Sequence, residues 1–183
     1  MCDGGTTWDQ AAPNNSLSLG GLRVLAKKFA ARRSFNSTSV FLDIGCGVGM
    51  PCIYFALRYG VKCIGVERHV ELVDRARRYA RVAGVEKLCT FLLRDAATPR
   101  FYSDHSHFTH LLAFDACFGD EALPELYWNL SSARSLIGCS TCKTSFYWKG
   151  PKGYMKKLGP STQPLKMMGL GASSFCFGFW THS

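Results

Sequence analysis

Short apolar runs alternate with helical patterns along most of this 183-residue chain. Runs rich in β-branched and aromatic residues predict strands at 39–42, 61–66, 88–93, 109–114 and 136–146. Apolar residues that recur every three or four positions predict helices at 18–31, 53–59, 70–83 and 121–133. Because strands alternate with helices at short intervals, the pattern predicts a mostly parallel sheet with helices on both faces.

The two ends of the chain differ from this pattern. Residues 1–17 are rich in Gly, Thr, Asn and Pro and predict a flexible arm, which leaves residues 18–183 as a single domain. Near the C-terminus, apolar segments separated by Gly and Ser predict a closing antiparallel hairpin over 164–183. The basic segment 149–157 is predicted to be a loop.

A glycine-rich turn follows the first predicted strand. It reads Asp43-Ile-Gly-Cys-Gly-Val-Gly49, and the second strand leads to Glu67, 24 positions after Asp43. The dinucleotide fingerprint Gly-x-Gly-x-x-Gly places a diphosphate on a helix N-terminus. Here the third glycine comes one residue early, Met50 occupies the fingerprint position, and the Asp43 carboxylate would repel a diphosphate.

A nucleoside that lacks phosphate and carries a positive sulfonium and amine fits this turn better. That ligand is S-adenosylmethionine, and the turn resembles the first motif of the class I methyltransferases, acid-x-Gly-x-Gly-x-Gly. The resemblance implies a Rossmann-like methyltransferase fold of the α/β class, with a mostly parallel seven-stranded sheet and a C-terminal antiparallel hairpin. The alternative interpretation is an ordinary glycine turn in an α/β domain.

Three acidic residues come at the ends of successive predicted strands, at the edge where open α/β sheets bind ligands. We expect Asp43 to hold the glycine turn and, directly or through water, the amino group of the methionine part. Glu67 can accept hydrogen bonds from both ribose hydroxyls, and Asp95 can accept one from the adenine amino group. The predicted cofactor-binding residues are Asp43, Gly45, Cys46, Gly47, Gly49, Glu67, Asp95 and Ala96.

The end of the fourth predicted strand faces the transferable methyl group in this fold. Methyl transfer is an in-line displacement from a sulfonium, so the enzyme mainly has to align the acceptor and exclude water. Phe114 and Phe118 suit the walls of a narrow channel, and Asp115 supplies a polar group for an amine. We therefore predict Phe114, Asp115 and Phe118 as catalytic residues; in the alternative interpretation the phenylalanines are core residues and Asp115 caps a helix.

The same region resembles the non-SET histone lysine methyltransferases of the disruptor-of-telomeric-silencing family. Phe118-Gly-Asp-Glu121 opens a helix, and a later strand runs toward Lys143-Thr-Ser-Phe146, as in that family. Phe114 and Asp115 replace the family's paired asparagines. The resemblance spans about Ser39 to Phe146 and implies a protein lysine N-methyltransferase that acts on histones in the nucleus, with the cytoplasm as the alternative intracellular location.

Charge and cysteine content bear on partners and compartment. Lys and Arg outnumber Asp and Glu by 22 to 13, and the net charge of +9 favours a nucleosome or nucleic acid as a partner. Nine cysteines scattered through predicted helices and strands favour reduced thiols in an intracellular compartment. No apolar run is long enough to predict a membrane span. Neither the His105–His110 group nor the single Cys139-x-x-Cys142 pair predicts a metal site.

Three other functions stay open at this stage. An RNA or DNA methyltransferase suits the basic charge, although the fourth strand lacks the prolines of the usual amino-methylating motif. A small-molecule methyltransferase suits the short chain. A non-catalytic basic binding module is the alternative from another class, and it has little physical need of Asp43, Glu67 and Asp95 together. The oligomeric state is not predicted.

Overall fold

The structure, a computed structural model, describes residues 17–96, 98, 107–113, 126, 137–141, 155–157, 163–166 and 174–182. The described helices are α1 (Leu19–Ala30), α2 (Met50–Tyr59) and α3 (Val70–Val82). The described strands are β1 (Val40–Ile44), β2 (Lys62–Glu67), β3 (Cys89–Leu93), β4 (His110–Ala113), β5 (Ile137–Thr141), β6 (Met155–Lys157), β7 (Gln163–Lys166) and β8 (Ser174–His182).

These strands form one sheet in the order β3-β2-β1-β4-β5-β8-β6, and β7 pairs with β8 beside this path. Neighbouring strands from β3 to β5 run parallel. Strand β8 runs antiparallel to β5, β6 and β7. The strand order reverses between β1 and β4, and ligands of open α/β sheets bind outside the carboxyl ends of the strands at such a reversal.

The elements predicted for residues 18–93 are confirmed, with shifts of up to three residues at their ends. Helix α1 begins after Ser18, whose hydroxyl accepts a hydrogen bond from the Gly21 backbone N–H at 3.1 Å. Helix α2 ends at Gly60, which has the left-handed backbone expected of a helix-terminating glycine. Strand β1 continues to Ile44, so Asp43 lies within the strand and not at its end.

Among the described residues of the C-terminal half, the segment 149–157 differs from the sequence prediction. Residues 149–157 were predicted to be a loop, but the last three, Met155–Lys157, form β6 and pair with the end of β8. This segment lacks the alternation of apolar and polar residues that predicts a strand, so the sequence did not indicate β6. Of the predicted helix at 121–133 only Leu126 is described; it is helical and fully buried. The predicted arm lies outside the described residues except for Leu17, which is buried in the core.

One hydrophobic core joins the three described helices to the parallel strands. It contains Leu22, Leu25 and Phe29 of α1, Cys52, Ile53, Phe55 and Ala56 of α2, Val73, Ala76 and Ala80 of α3, and strand residues such as Phe41, Cys63, Phe91 and Leu112. Cys46, Cys52, Cys63 and Cys89 are buried free thiols, as predicted for core cysteines. Burial raises the pKa of the Cys52 thiol to about 12, so it is not a reactive thiolate.

A buried histidine connects β4 to the segment between α1 and β1. His110 is fully buried and stacks on Phe35, with ring centroids 4.1 Å apart. Its Nε2 lies 3.0 Å from the Arg33 carbonyl oxygen, and its Nδ1 lies 2.9 Å from the Thr109 hydroxyl oxygen. A neutral ring that donates from Nε2 and accepts at Nδ1 satisfies both contacts. This histidine is therefore a structural core residue.

We expect the stability of the protein to fall when His110 is forced to take up a proton. Burial lowers the pKa of His110 to about 4 in the folded protein, below its ordinary value near 6.5. Between these two pH values the unfolded chain binds more protons, so the contribution of His110 is complete above about pH 6.5 and is lost toward pH 4, by at most about 1.4 kcal/mol per pH unit. Urea unfolding at about pH 7 and about pH 5 measures this loss.

The matched variant for this experiment is His110→Phe, which keeps a ring against Phe35 and cannot titrate. Its stability should fall less steeply than that of the wild type over the same pH interval. Both proteins share all other titrating groups, so the difference between their slopes of stability against pH measures the contribution of His110. Equal slopes would contradict the assignment of a neutral buried histidine.

Candidate cofactor and active site

The turn between β1 and α2 has three glycines with left-handed backbone angles. Gly45, Gly47 and Gly49 have φ values of 71°, 53° and 77°. Two amides of the turn are tied to the next strand, because the N–H groups of Gly45 and Cys46 donate to the Val66 carbonyl oxygen at 2.9 and 3.0 Å. The turn is thus attached to the carboxyl end of β2 before any ligand contributes a contact.

The glycines of the turn have different physical reasons to be glycine. A Cβ atom at Gly49 would lie 2.5 Å from Cε1 of Phe91 and 3.0 Å from the Ala76 side chain. A Cβ atom at Gly47 would meet no atom of the described residues within 4 Å. Gly49 therefore allows close packing beneath the turn, whereas the Gly47 side of the turn is open to an approaching molecule.

Glu67 connects the glycine turn to the start of α3. The side chain is 7% exposed. One carboxylate oxygen accepts a hydrogen bond from the Gly47 backbone N–H at 3.1 Å. The other accepts from the backbone N–H groups of Arg68 at 2.8 Å and His69 at 3.1 Å. Oε1 already accepts two hydrogen bonds, whereas Oε2 accepts one and has a second lone pair, so a ribose hydroxyl can still donate to Oε2.

Asp43 has a different environment from the one predicted. We expected it to hold the glycine turn, but in the described residues Glu67 makes that contact. Asp43 is 2% exposed, and its Oδ2 has no hydrogen-bond partner among the described residues. Burial, followed by the negative charge of Glu67, raises the pKa of the Asp43 carboxyl well above its usual value. A buried polar atom without a partner is costly, and a ligand amine would remove that cost.

The end of β3 brings the third predicted acid to the same edge of the sheet. The Arg94 backbone N–H donates to the Glu67 carbonyl oxygen at 2.9 Å, which extends the pairing of β3 with β2. Asp95 is exposed, and its carbonyl oxygen accepts from the Thr98 hydroxyl at 2.7 Å. Ala96 is buried. The predicted cofactor-binding residues therefore come together at neighbouring strand ends.

Sequence reasoning missed two residues that shape this site. Gly65 lies beside Asp43 in the strand register, and a Cβ atom there would lie 2.7 Å from both Cys46 Sγ and Phe91 Cδ1. Phe91 fills the space under both Gly49 and Gly65. A lone glycine inside the second apolar strand was the available signal, because glycine in a strand often marks a close approach.

The predicted acceptor residues Phe114, Asp115 and Phe118 lie outside the described residues. Strand β4 is described up to Ala113, which pairs with Ile44 at the end of β1 and is fully buried. Within the described ranges, no group of three or more His, Cys, Asp or Glu side chains is arranged to hold a metal ion. A search of the same residues for a helix long and apolar enough to cross a membrane found none.

The described residues fit S-adenosylmethionine. The partnerless Oδ2 of Asp43 and the open side of Gly47 lie where the methionine part would bind, and the Glu67 carboxylate lies at the next strand end for the ribose. A diphosphate would bring negative charge against two buried acids, which is unfavourable. The acids and the turn therefore favour a cationic nucleoside.

Comparisons with known proteins agree with this site. A family model described as a methyltransferase domain matches residues 41–133, just over half of the chain. Norajmaline N-methyltransferase of Rauvolfia serpentina is 42% identical over 55 residues, which cover 30% of this chain and 19% of that protein. Phosphoethanolamine N-methyltransferase of Plasmodium falciparum is 28% identical over 139 residues, which cover 76% of this chain and 45% of that protein. The chain thus spans less than half the length of these curated relatives.

Solved structures share the fold at low sequence identity. An RNA methyltransferase from Salinibacter ruber in complex with S-adenosyl-L-homocysteine has a TM-score of 0.58 and 19% identity, covering 87% of this chain and 91% of that one. A structure solved for the conversion of a disulfide bond into a thioacetal group during echinomycin biosynthesis has a TM-score of 0.67 and 14% identity, covering 97% of this chain and 85% of that one.

These matches do not extend to the disruptor-of-telomeric-silencing family, so that resemblance stays a prediction. The family model, the Rossmann-like sheet with its strand reversal at β1 and β4, and the glycine turn between two buried acids all agree. The chain therefore belongs to the methyltransferase-domain family, the class I enzymes whose cofactor is S-adenosylmethionine.

Proposed function

We propose that the protein transfers the methyl group of S-adenosylmethionine to the nitrogen of a small amine. The observation that carries the cofactor part is the buried acid at Asp43, whose Oδ2 has no partner among the described residues, beside a Glu67 carboxylate that anchors the glycine turn. The amine part is supported by the curated relatives, which are N-methyltransferases of norajmaline, ajmaline and phosphoethanolamine by name.

Residues at three strand ends would each bind a different part of the cofactor. Bound S-adenosylmethionine supplies an electrophilic methyl group on a sulfonium. Asp43 would accept the amino group of the methionine part and offset its positive charge. Glu67 would accept a ribose hydroxyl at Oε2 while it keeps its contacts with the Gly47, Arg68 and His69 amides. Asp95, exposed at the end of β3, would accept from the adenine amino group.

The segment after β4 would bind the methyl acceptor. Phe114 and Phe118 would exclude water from the line of attack, and Asp115 would orient the amine. A dry channel also favours the neutral form of an amine, and only that form has the lone pair that attacks the methyl group. The position of Ala113 beside Ile44 supports this proposal, because the chain leaves β4 next to the glycine turn.

Two macromolecular acceptors are the competing proposals. RNA is favoured by the net charge of +9 and by the shared fold with the Salinibacter ruber RNA methyltransferase. Histone lysine is favoured by the resemblance around Phe118 and Phe146. None of the curated relatives described above is named as an RNA or histone methyltransferase, whereas several are named as N-methyltransferases of small amines.

The experiment that tests the function has two stages. Calorimetric titration with S-adenosylmethionine and with NAD tests the cofactor; preferential binding of NAD would contradict the proposal. Cofactor labelled on the methyl group is then incubated with phosphoethanolamine, with alkaloid amines, with total RNA and with nucleosomes. Label on a small amine supports the proposal, whereas label on RNA or histones alone would overturn its acceptor class.

We also propose that the complete sheet has seven strand positions and closes with the β7–β8 hairpin. This is supported by the register, because β6 pairs with Thr181 and its neighbours while β7 pairs with residues 174–177 on β8. The two short strands would together occupy the position of one edge strand. The sheet would then have the order typical of class I methyltransferases.

A further inference from the structure

We propose that the protein binds S-adenosylmethionine with release of a proton from the buried carboxyl group of Asp43, which lies beside Glu67, so that affinity for the cofactor rises with pH. The inference rests on the proposed function, because it concerns the same site. It adds that the affinity for the cofactor depends on pH, which does not follow from the binding roles of the two acids alone.

The geometry of the two acids is unequal. Asp43 and Glu67 are 2% and 7% exposed. They lie on adjacent parallel strands, and the register places Asp43 beside Gly65, two residues before Glu67. Three backbone N–H groups donate to the Glu67 carboxylate, whereas Asp43 Oδ2 receives no donor among the described residues. Negative charge in this pair is therefore well supported at Glu67 and poorly supported at Asp43.

Among the residues that the structure describes, none of the groups around Asp43 supplies a compensating positive charge. From β2 it is faced by Glu67 and Cys63, from the glycine turn by Cys46, and from α2 by Cys52. On β4 the titratable residue is His110, which is neutral and pairs with Phe41 toward the other end of β1. Each of these neighbours is an acid, a neutral thiol or a neutral ring.

When no ligand is bound, this environment favours the neutral, protonated form of the Asp43 carboxyl group. Burial and then the charge of Glu67 raise the pKa of the Asp43 carboxyl well above its usual value. When the cationic ligand arrives, its amino group and sulfonium supply the missing positive charge; the carboxyl O–H bond breaks, the electron pair stays on Asp43, and the proton passes to the buffer.

Calorimetric titration of the full chain with S-adenosylmethionine tests the coupling directly. Titrations from about pH 5 to about pH 7, in buffers with different ionisation enthalpies, measure both the affinity and the number of protons released. The amino group of the ligand itself titrates near pH 8, so this range leaves it protonated. We expect affinity to rise by up to about tenfold per pH unit and proton release to approach one per bound ligand.

Two variants test whether the released proton comes from Asp43. Asp43→Asn keeps the shape of the side chain and cannot titrate, so its weaker binding should be independent of pH and free of proton release. Glu67→Gln removes the neighbouring negative charge, so the pH at which affinity stops rising should move lower. Glu86→Gln is the matched control, because Glu86 is exposed in the turn before β3, at the opposite end of the strands. It should behave as the wild type.

A spectroscopic measurement covers the case in which Asp43→Asn does not fold. The side-chain carboxyl carbon of Asp43 in the wild-type protein should show that the group ionises at a higher pH in the free protein than in the protein with bound ligand. Tight binding without proton release and with a flat pH profile would overturn the coupling and leave the proposed function intact. Failure to bind S-adenosylmethionine at any pH would overturn both.

Discussion

Replacing Gly49 with alanine should destabilise the protein by about 4 kcal/mol, which lowers the midpoint of thermal unfolding by about 10 °C for a chain of this length. Two costs add at this position. The backbone has φ of +77°, which costs an alanine about 1 kcal/mol or more. The new methyl group would lie 2.5 Å from the Phe91 ring, and overpacking of a buried ring costs about 1 to 3 kcal/mol.

The matched variant is Gly47→Ala, in the same turn. Gly47 also has a positive φ, +53°, but in the described part of the chain a Cβ atom there has no neighbour within 4 Å. It should therefore carry the backbone cost alone, about 1 kcal/mol. Urea unfolding of the two variants in parallel isolates the contact with Phe91. If both lose the same stability, the close packing under Gly49 is not the reason for that glycine.

Replacing Glu67 with alanine should weaken the binding of S-adenosylmethionine by at least about 100-fold, equivalent to about 2.7 kcal/mol. The variant removes the acceptor for the ribose and also the acceptor for the amides of Gly47, Arg68 and His69. Hydrogen bonds to charged groups contribute about 1.5 to 3 kcal/mol each, but the three bonds are only part-buried and water can replace the lost acceptor, so the variant should lose about 2 kcal/mol of stability in total.

Glu67→Gln separates the two roles of this residue. The amide oxygen can still accept from the Arg68 and His69 amides at the start of α3, so most of the stability should be retained. The amide NH₂ group cannot accept from Gly47, so the turn should still be loosened. Calorimetry for cofactor affinity and thermal unfolding for stability are measured on both variants, with Glu86→Gln as the exposed-acid control. Normal affinity in Glu67→Ala would show that the ribose is bound elsewhere.

The sequence predicted the cofactor-binding half of the fold because local signals agree there. The cap at Ser18, the terminating glycines at 60 and 84 and the apolar strands all indicate the same elements that the structure contains. The roles within the site were harder to predict. Asp43 and Glu67 are both acids near strand ends, and only the three-dimensional arrangement shows that Glu67 holds the turn while Asp43 is buried within β1.

Other features depend on contacts between distant residues and have no local pattern. The role of Gly65 follows from the position of the Phe91 ring on the neighbouring strand. The neutral state of His110 follows from its packing against Phe35 and the Arg33 carbonyl, which come from a segment about 75 residues earlier. The sequence showed three nearby histidines, and periodicity gave no means to recognise one of them as buried in the core.

The fixed attachment of the glycine turn to β2 has a consequence for the kinetics of ligand capture. Gly45, Cys46 and Gly47 are already hydrogen-bonded to Val66 and Glu67, so the backbone amides nearest the ligand are ordered before the encounter. A preorganised recess loses little conformational entropy on association. The on-rate of the ligand is then governed by diffusion and by access to the site. The spent product can be exchanged for new cofactor without reordering of the glycine turn.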